Sequence, residues 1–172
     1  MRLLFEMDSK DYPIDGKAFF RPSARSIIIN EGKIALIYSR KYKYYKFPGG
    51  GIEKGESREE ALIRETLEEA GLSVIADTIK EFGKVRRKFR YNQKGFDYMV
   101  QDNYYYLCQA EKQISKQKLD EYESNEGFTL KFMIPQKAIY LNRNVKHGPK
   151  NPTMIEREAR VLEILIKEGY FK

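Results

Sequence analysis

Gly50-Gly51-Ile52-Glu53-Lys54-Gly55-Glu56-Ser57-Arg58-Glu59-Glu60-Ala61-Leu62-Ile63-Arg64-Glu65-Thr66-Leu67-Glu68-Glu69-Ala70-Gly71-Leu72 is the stretch on which the reading of this chain turns. Together with Gly49, three consecutive glycines follow Pro48, and such a run forces the backbone to turn. Ser57 and Glu60 form an S-x-x-E capping box, and Gly71 supplies a stop, which predicts a helix between them. On a wheel of 100° per residue, Leu62, Ile63, Thr66, Leu67 and Ala70 fill one arc. Glu65, Glu68 and Glu69 gather on the other side. Their i, i+3, i+4 spacing makes the three carboxylates neighbours that repel one another. They also lie toward the helix C-terminus, where the dipole disfavours anions. A hard divalent cation such as Mg²⁺ or Mn²⁺ removes that penalty, whereas a solvated acidic face is the plainer alternative.

Outward from the helix the pattern alternates strands and turns. Ser26–Asn30 and Lys33–Ser39 flank Glu31-Gly32 and predict a hairpin. Residues 73–80, 82–91 and 96–109 read as strands, and 111–126 as loop. Phe128–Ile134 reads as a further strand, stopped by Pro135, with a short helix or turn after it. Thr153 and Glu156 make a second capping box for a final helix ending near Gly169. Strands on both sides of one helix, with a second helix at the end, predict an α/β sandwich.

The 172 residues fit one domain, 1–172, and 41% hydrophobic content excludes disorder as the main state. No apolar run approaches the ~20 residues that a membrane span needs. The acidic first residues do not fit a secretory signal. One cysteine, Cys108, excludes an internal disulfide, and with a single His147 it excludes a Cys/His zinc site. Cys108 sits in an aromatic run and reads as a buried hydrophobe, and His147 as an exposed loop residue. These features together predict a cytoplasmic protein. Of the net charge of +7, more than half falls in residues 73–100, with seven basic and three acidic groups. That concentration points to a local anionic partner.

The stretch from Gly50 to Leu72 resembles the Nudix box, G-x5-E-x7-R-E-U-x-E-E-x-G-U, where U is a bulky aliphatic residue. Gly50, Glu56, Arg64, Glu65, Glu68, Glu69 and Gly71 fill the seven fixed positions, and Leu72 fills the last U. Thr66 at the first U is the one departure. The resemblance implies a Nudix-type α/β/α sandwich with a mixed sheet, and a Mg²⁺- or Mn²⁺-dependent hydrolase of nucleoside diphosphate-linked substrates. It further implies that Glu65, Glu68 and Glu69, with the Gly49 carbonyl, hold the metal, and that Arg64 and Glu56 form an orienting pair. The resemblance also implies a general base that is Glu65, Glu68 or a glutamate in the loop before the last strand. In that loop Glu126, which is also expected among the metal ligands, is the first candidate and Glu123 the second.

Substrate contacts are expected from Arg86, Arg87 and Lys88 in a basic strand, and from Tyr45 beside the box. A solvated edge strand and core-shielding rings are the plainer readings of the same residues. The secondary signatures of several Nudix branches are missing. Lys88 stands where the ADP-ribose type places proline, and Lys88, Phe89 and Arg90 where the diadenosine-polyphosphate type places tyrosine. The coenzyme A and NADH patterns are also absent, and Cys108 does not suit the isomerase branch. What remains is a (d)NTP pyrophosphohydrolase. An enzyme on RNA 5′ ends is the alternative, and a non-catalytic nucleotide- or RNA-binding regulator comes last because every box glutamate is retained. Sequence leaves the oligomeric state open.

Overall fold

The computed structural model describes residues 1–171. Along the chain run β1 (Leu3–Asp8), β2 (Ala18–Phe20), β3 (Ser23–Ile27), β4 (Ile29–Asn30), β5 (Lys33–Ser39), β6 (Tyr45–Lys46) and β7 (Gly49–Gly51). They are followed by α1 (Arg58–Ala70), β8 (Leu72–Val74), β9 (Lys80–Gln93), β10 (Phe96–Leu107), β11 (Ala110–Ile114) and α2 (Glu121–Glu126). The chain closes with β12 (Phe128–Met133), α3 (Pro135–Asn144) and α4 (Pro152–Lys167). A mixed sheet has the order β1-β9-β10-β3-β7, with β2 also on β10. β1 runs parallel to β9, and β2 and β3 parallel to β10, while β9–β10 and β3–β7 are antiparallel. A smaller antiparallel sheet, β12-β5-β4 with β6 on β5, lies beside it, and β8 pairs with β11.

Two-residue alternation decides which layer each side chain joins. Tyr104 and Tyr106 of β10 pack with Ala24, Ala61 and Leu62 under α1. Tyr105 between them packs with Ile27, Phe47, Val85, Val161 and Leu162 under α4. The sheet is thus covered by a helix on each face. β9 and β10 are joined through Lys94-Gly95, both at positive φ (54° and 74°), as a two-residue hairpin turn requires.

Several boundaries differ from the sequence reading. The run Ser26–Asn30 divides at Ile28: Ser26 and Ile27 pair with β10, and only Ile29 and Asn30 form the expected hairpin with Lys33 and Ile34. The stretch 111–126 carries most of β11 and all of α2, whose N-cap Asp120 forms a capping box with Glu123. α4 is capped by Asn151, whose side chain accepts from the Thr153 amide, with Pro152 in the first turn, so Thr153 lies inside the helix. No helix among the described residues is long and apolar enough to cross a membrane.

Candidate active site

α1 has the expected caps, with Ser57 accepting from the Glu60 amide and Gly71 in the left-handed region at φ 69°. Its burial departs from the wheel. Ala61, Leu62, Thr66, Glu69 and Ala70 are buried, and Glu65 and Glu68 are half-buried, so the carboxylate side turns toward the glycine turn. Thr66 Oγ1 is buried without a partner, which marks its slot as apolar.

The glycines permit this approach. A Cβ on Gly50 would lie 2.2 Å from Glu65 Oε2, and one on Gly49, at φ 135°, would lie 2.1 Å from the Ala24 carbonyl oxygen. Arg64 ties the turn to the helix. Its Nε and Nη2 donate to Glu56 at 2.7 and 2.9 Å, and Nη2 also reaches the Gly51 carbonyl at 3.1 Å. Its Nη1 donates to Glu65 at 2.8 Å and Glu68 at 3.2 Å. The two-point bond to Arg64 holds the Glu56 carboxyl below its ordinary range and the guanidinium above its own. Burial pushes Glu65 up.

Glu69 is engaged by different groups. Gly49 N–H donates to its Oε2 at 2.9 Å, and the buried Lys46 ammonium contacts its Oε1. Lys46 Nζ also lies 3.5 Å from the Gly49 carbonyl oxygen. Burial, with the bond to Glu69 second, pushes Glu123 up to about 8.

These groups line a cleft of about 500 Å³. Glu53, Glu65, Glu68, Glu69, Asp120 and Glu123 line it together with Arg21, Arg25, Lys46, Arg64 and Lys118. Among the described residues no three acidic, histidine or cysteine side chains already converge on one point. Arg64 Nη1 instead bridges Glu65 and Glu68, while Lys46 and the Gly49 amide engage Glu69. The donors are nonetheless all hard oxygens, and the Lys46 ammonium between Glu69 and the Gly49 carbonyl shows that a cation is accepted there. The residues present therefore fit Mg²⁺ or Mn²⁺.

The structure brings Gly49, Arg64, Glu65, Glu68 and Glu69 to the cleft, with Glu56 behind Arg64. Glu126 is elsewhere: it accepts from Ser39 Oγ at 3.0 Å and Tyr44 Oη at 2.9 Å and pairs with Lys150, while Glu123 faces the cleft. One helical turn separates the two. Tyr45 is buried against Tyr38 and does not line the cleft. The basic strand is interior, between β1 and β10, and its outward charges have partners. Arg86 makes two 2.7 Å bonds to Asp102, and Lys88 contacts Glu6 at 3.2 Å. Arg87 points to the other face and is buried. Cys108 is buried, which pushes its thiol up to about 12, as an inert side chain requires. His147 contacts the carbonyls of Tyr42 and Asn142 and is half-buried.

Sequence reasoning missed Arg21, Arg25, Lys46 and Lys118. Arg25 carried a signal, a charge inside the wholly buried strand Ser23–Ile27, and so did Lys46 between two buried aromatic residues. The Asp120-x-x-Glu123 box gave the means to place Glu123.

The Nudix-domain family model matches residues 19–154. An RNA pyrophosphohydrolase of a Nitratiruptor species is 31% identical over 171 residues, covering 90% of this chain and 99% of that one. An RNA pyrophosphohydrolase of a Sulfurovum species is 27% identical over 173 residues, covering 91% and 99%. Among solved structures, a Nudix hydrolase from Nitrosomonas europaea aligns with a TM-score of 0.58 at 17% identity, covering 83% of this chain and 90% of that one. A MutT Nudix hydrolase from Burkholderia pseudomallei aligns at 0.53 and 19%, covering 84% and 98%. These last two are likenesses of fold. With the family model spanning most of the sequence and a relative at 31% identity matched end to end, the chain belongs to the Nudix hydrolase family, whose members act on pyrophosphate bonds.

Proposed function

We propose that the protein is a cytoplasmic, divalent-metal-dependent pyrophosphohydrolase that hydrolyses a phosphoanhydride bond of a nucleoside diphosphate-linked substrate, foremost a (d)NTP. The observation that carries this reading is one cleft lined by both the clustered box carboxylates and several basic side chains. Glu65, Glu68, Glu69 and the Gly49 carbonyl hold the Mg²⁺ or Mn²⁺, and Glu123, in place of Glu126, supplies the distal carboxylate. An ion held by these residues would supply charge neutralisation at the phosphate and a lowered pKa for the attacking water. Arg21, Arg25, Lys46 and Lys118 face the phosphate chain. Arg64 fixes the Glu65 and Glu68 carboxylates so that little rearrangement accompanies the reaction. A carboxylate of the same cleft takes the proton from water.

Millimolar Mg²⁺ or Mn²⁺ is expected to raise the melting temperature, since binding to the folded state alone stabilises by ~2.7 kcal/mol at 100 times the dissociation constant. A melting curve indifferent to both ions would remove the metal from this helix.

A second reading, action on RNA 5′ ends, is favoured by the two full-length relatives named RNA pyrophosphohydrolase. Free nucleotide is preferred because Lys84 and Arg86 are committed to Asp102 and Lys88 to Glu6, which leaves no free basic stripe along β9. Turnover of a nucleoside triphosphate and of a 5′-triphosphorylated RNA, each at two salt concentrations, separates the two. Gripping an RNA backbone would give a logarithmic salt slope of about −0.7 per phosphate contacted. Faster RNA turnover that collapses with salt would establish the RNA reading. A shallow slope and faster nucleotide turnover are expected.

A further inference from the structure

Outside the box, three arginines from β3, β9 and α4 gather on the face of the sheet that α4 covers, with β10 between the two strands. Arg25, Arg87 and Arg157 are 7%, 3% and 1% exposed. Burying a guanidinium is costly unless it is paired. Only Arg157 has a carboxylate: Glu158 accepts from its Nε at 2.7 Å, and the other Glu158 oxygen accepts from the Phe47 amide at 2.9 Å. Arg25 donates Nη1 to the carbonyls of Phe47 and Gly49, each at 3.2 Å. Arg87 donates to Gln101 Oε1 at 3.0 Å and Thr153 Oγ1 at 2.8 Å. The Nε atoms of both Arg25 and Arg87 are buried without any partner.

Gln101 links the group, because its Oε1 also accepts from Arg157 Nη1 at 3.3 Å. Three guanidiniums therefore surround one carboxylate, an excess of two charges. Burial, and then repulsion from Arg157, push Arg87 down to about 9, and its guanidinium also lies over the Phe89 ring, 4.6 Å from the centroid. Arg25 and Gln101 line the cleft, and Arg25 shares the Gly49 carbonyl with Lys46 at the edge of the glutamate site. An excess of two positive charges matches a terminal phosphate, which carries close to two negative ones at neutral pH. Arginine is suited to it, being always charged and forked for oxyanions.

We propose that Arg25 and Gln101, backed by Arg87 and Arg157, form an anion subsite that takes the terminal phosphate of the substrate beside the phosphate held at the glutamates. Its role toward substrate rests on the pyrophosphohydrolase reading, while its affinity for a phosphate does not. Arg87 and Arg157 are positioning residues that act through Gln101. The subsite favours 5′-triphosphates, free or on RNA, over diphosphates capped at both ends, which have no dianionic terminus.

The test is a calorimetric titration in EDTA with inorganic phosphate and tripolyphosphate, using the wild type, Arg87→Met and Gln101→Glu. The wild type is expected to bind both anions. Arg87→Met is expected to bind them about tenfold more weakly or worse, while melting no lower than wild type without anion, since an unpaired buried charge is gone. Gln101→Glu supplies a carboxylate among the arginines, so it is expected to melt higher and lose the phosphate response. With metal present, Arg87→Met should raise KM for a nucleoside triphosphate far more than it lowers kcat, and should not raise KM for a sugar-capped nucleoside diphosphate. Wild type that ignores phosphate in EDTA, or both variants binding it undiminished, would overturn the subsite. Phosphate binding without hydrolysis of any phosphoanhydride would overturn the pyrophosphohydrolase reading and leave the subsite standing. Running the same titration with a nucleoside triphosphate and with 5′-triphosphorylated RNA distinguishes the two sources of the phosphate, and an Arg87-dependent response to either supports the subsite.

Discussion

Arg64→Ala is expected to lose about 3 kcal/mol of stability, the low end for breaking a buried pair, because Arg64 retains 28% of its side-chain exposure. The change strands Glu56, Glu65 and Glu68 together and frees the Gly51 carbonyl. It also loosens the turn, which Glu56 closes by accepting from the Glu53 amide at 2.9 Å. The pH dependence gives a second signature. Arg64 lowers the folded-state value of Glu56 from its ordinary 4.5. The pair therefore stabilises fully above about 4.5 and loses that contribution as pH falls through the lowered folded value. Urea midpoints from neutral to acid pH should show this limb in wild type and not in the variant. Equal midpoints at neutral pH would mean that the turn is held by something else.

Glu68→Gln should behave in the opposite way. In the presence of metal its turnover is expected to fall roughly 10²–10³-fold, the scale for removing one preorganised electrostatic group. The metal-free fold should keep its stability or gain slightly, because one of three adjacent like charges is gone. Glu69→Gln should lose both activity and stability, since it leaves the buried Lys46 ammonium without its carboxylate. Kinetics beside melting curves separate the three variants. Normal turnover in Glu68→Gln would remove that residue from the site.

The box, its caps and the α/β element order were legible in the sequence because each is local, a spacing, a cap or a two-residue alternation, whereas the mixed sheet followed only from the family resemblance. The neighbours of the box were not. Glu123 and Glu126 differ by one helical turn, and only the position of α2 decides which faces the cleft. Arg86 and Arg87 are adjacent, yet the pleat sends one to Asp102 and the other inward. Strand β1 lay in a stretch read only for its acidity and β2 in one given no element, and both pair with segments far away in sequence. Tyr45 stood next to the motif in sequence, but packing against Tyr38 removed it from the cleft.

The parallel pairing of β1, β2 and β3 with the β9–β10 hairpin has a kinetic consequence. Residues 2 and 82, 17 and 97, and 23 and 103 are joined by hydrogen bonds across a constant eighty positions. The hairpin closes through the two residues Lys94-Gly95 and can form within microseconds. Strands β1 and β2 must wait for it, and during synthesis they leave the ribosome long before their partners exist. The order of assembly is therefore the reverse of the order of translation. Such long-range closure is expected to make refolding slower than that of helical bundles. Until β9 and β10 arrive, Leu3, Phe5, Phe19 and Phe20 have no sheet to join.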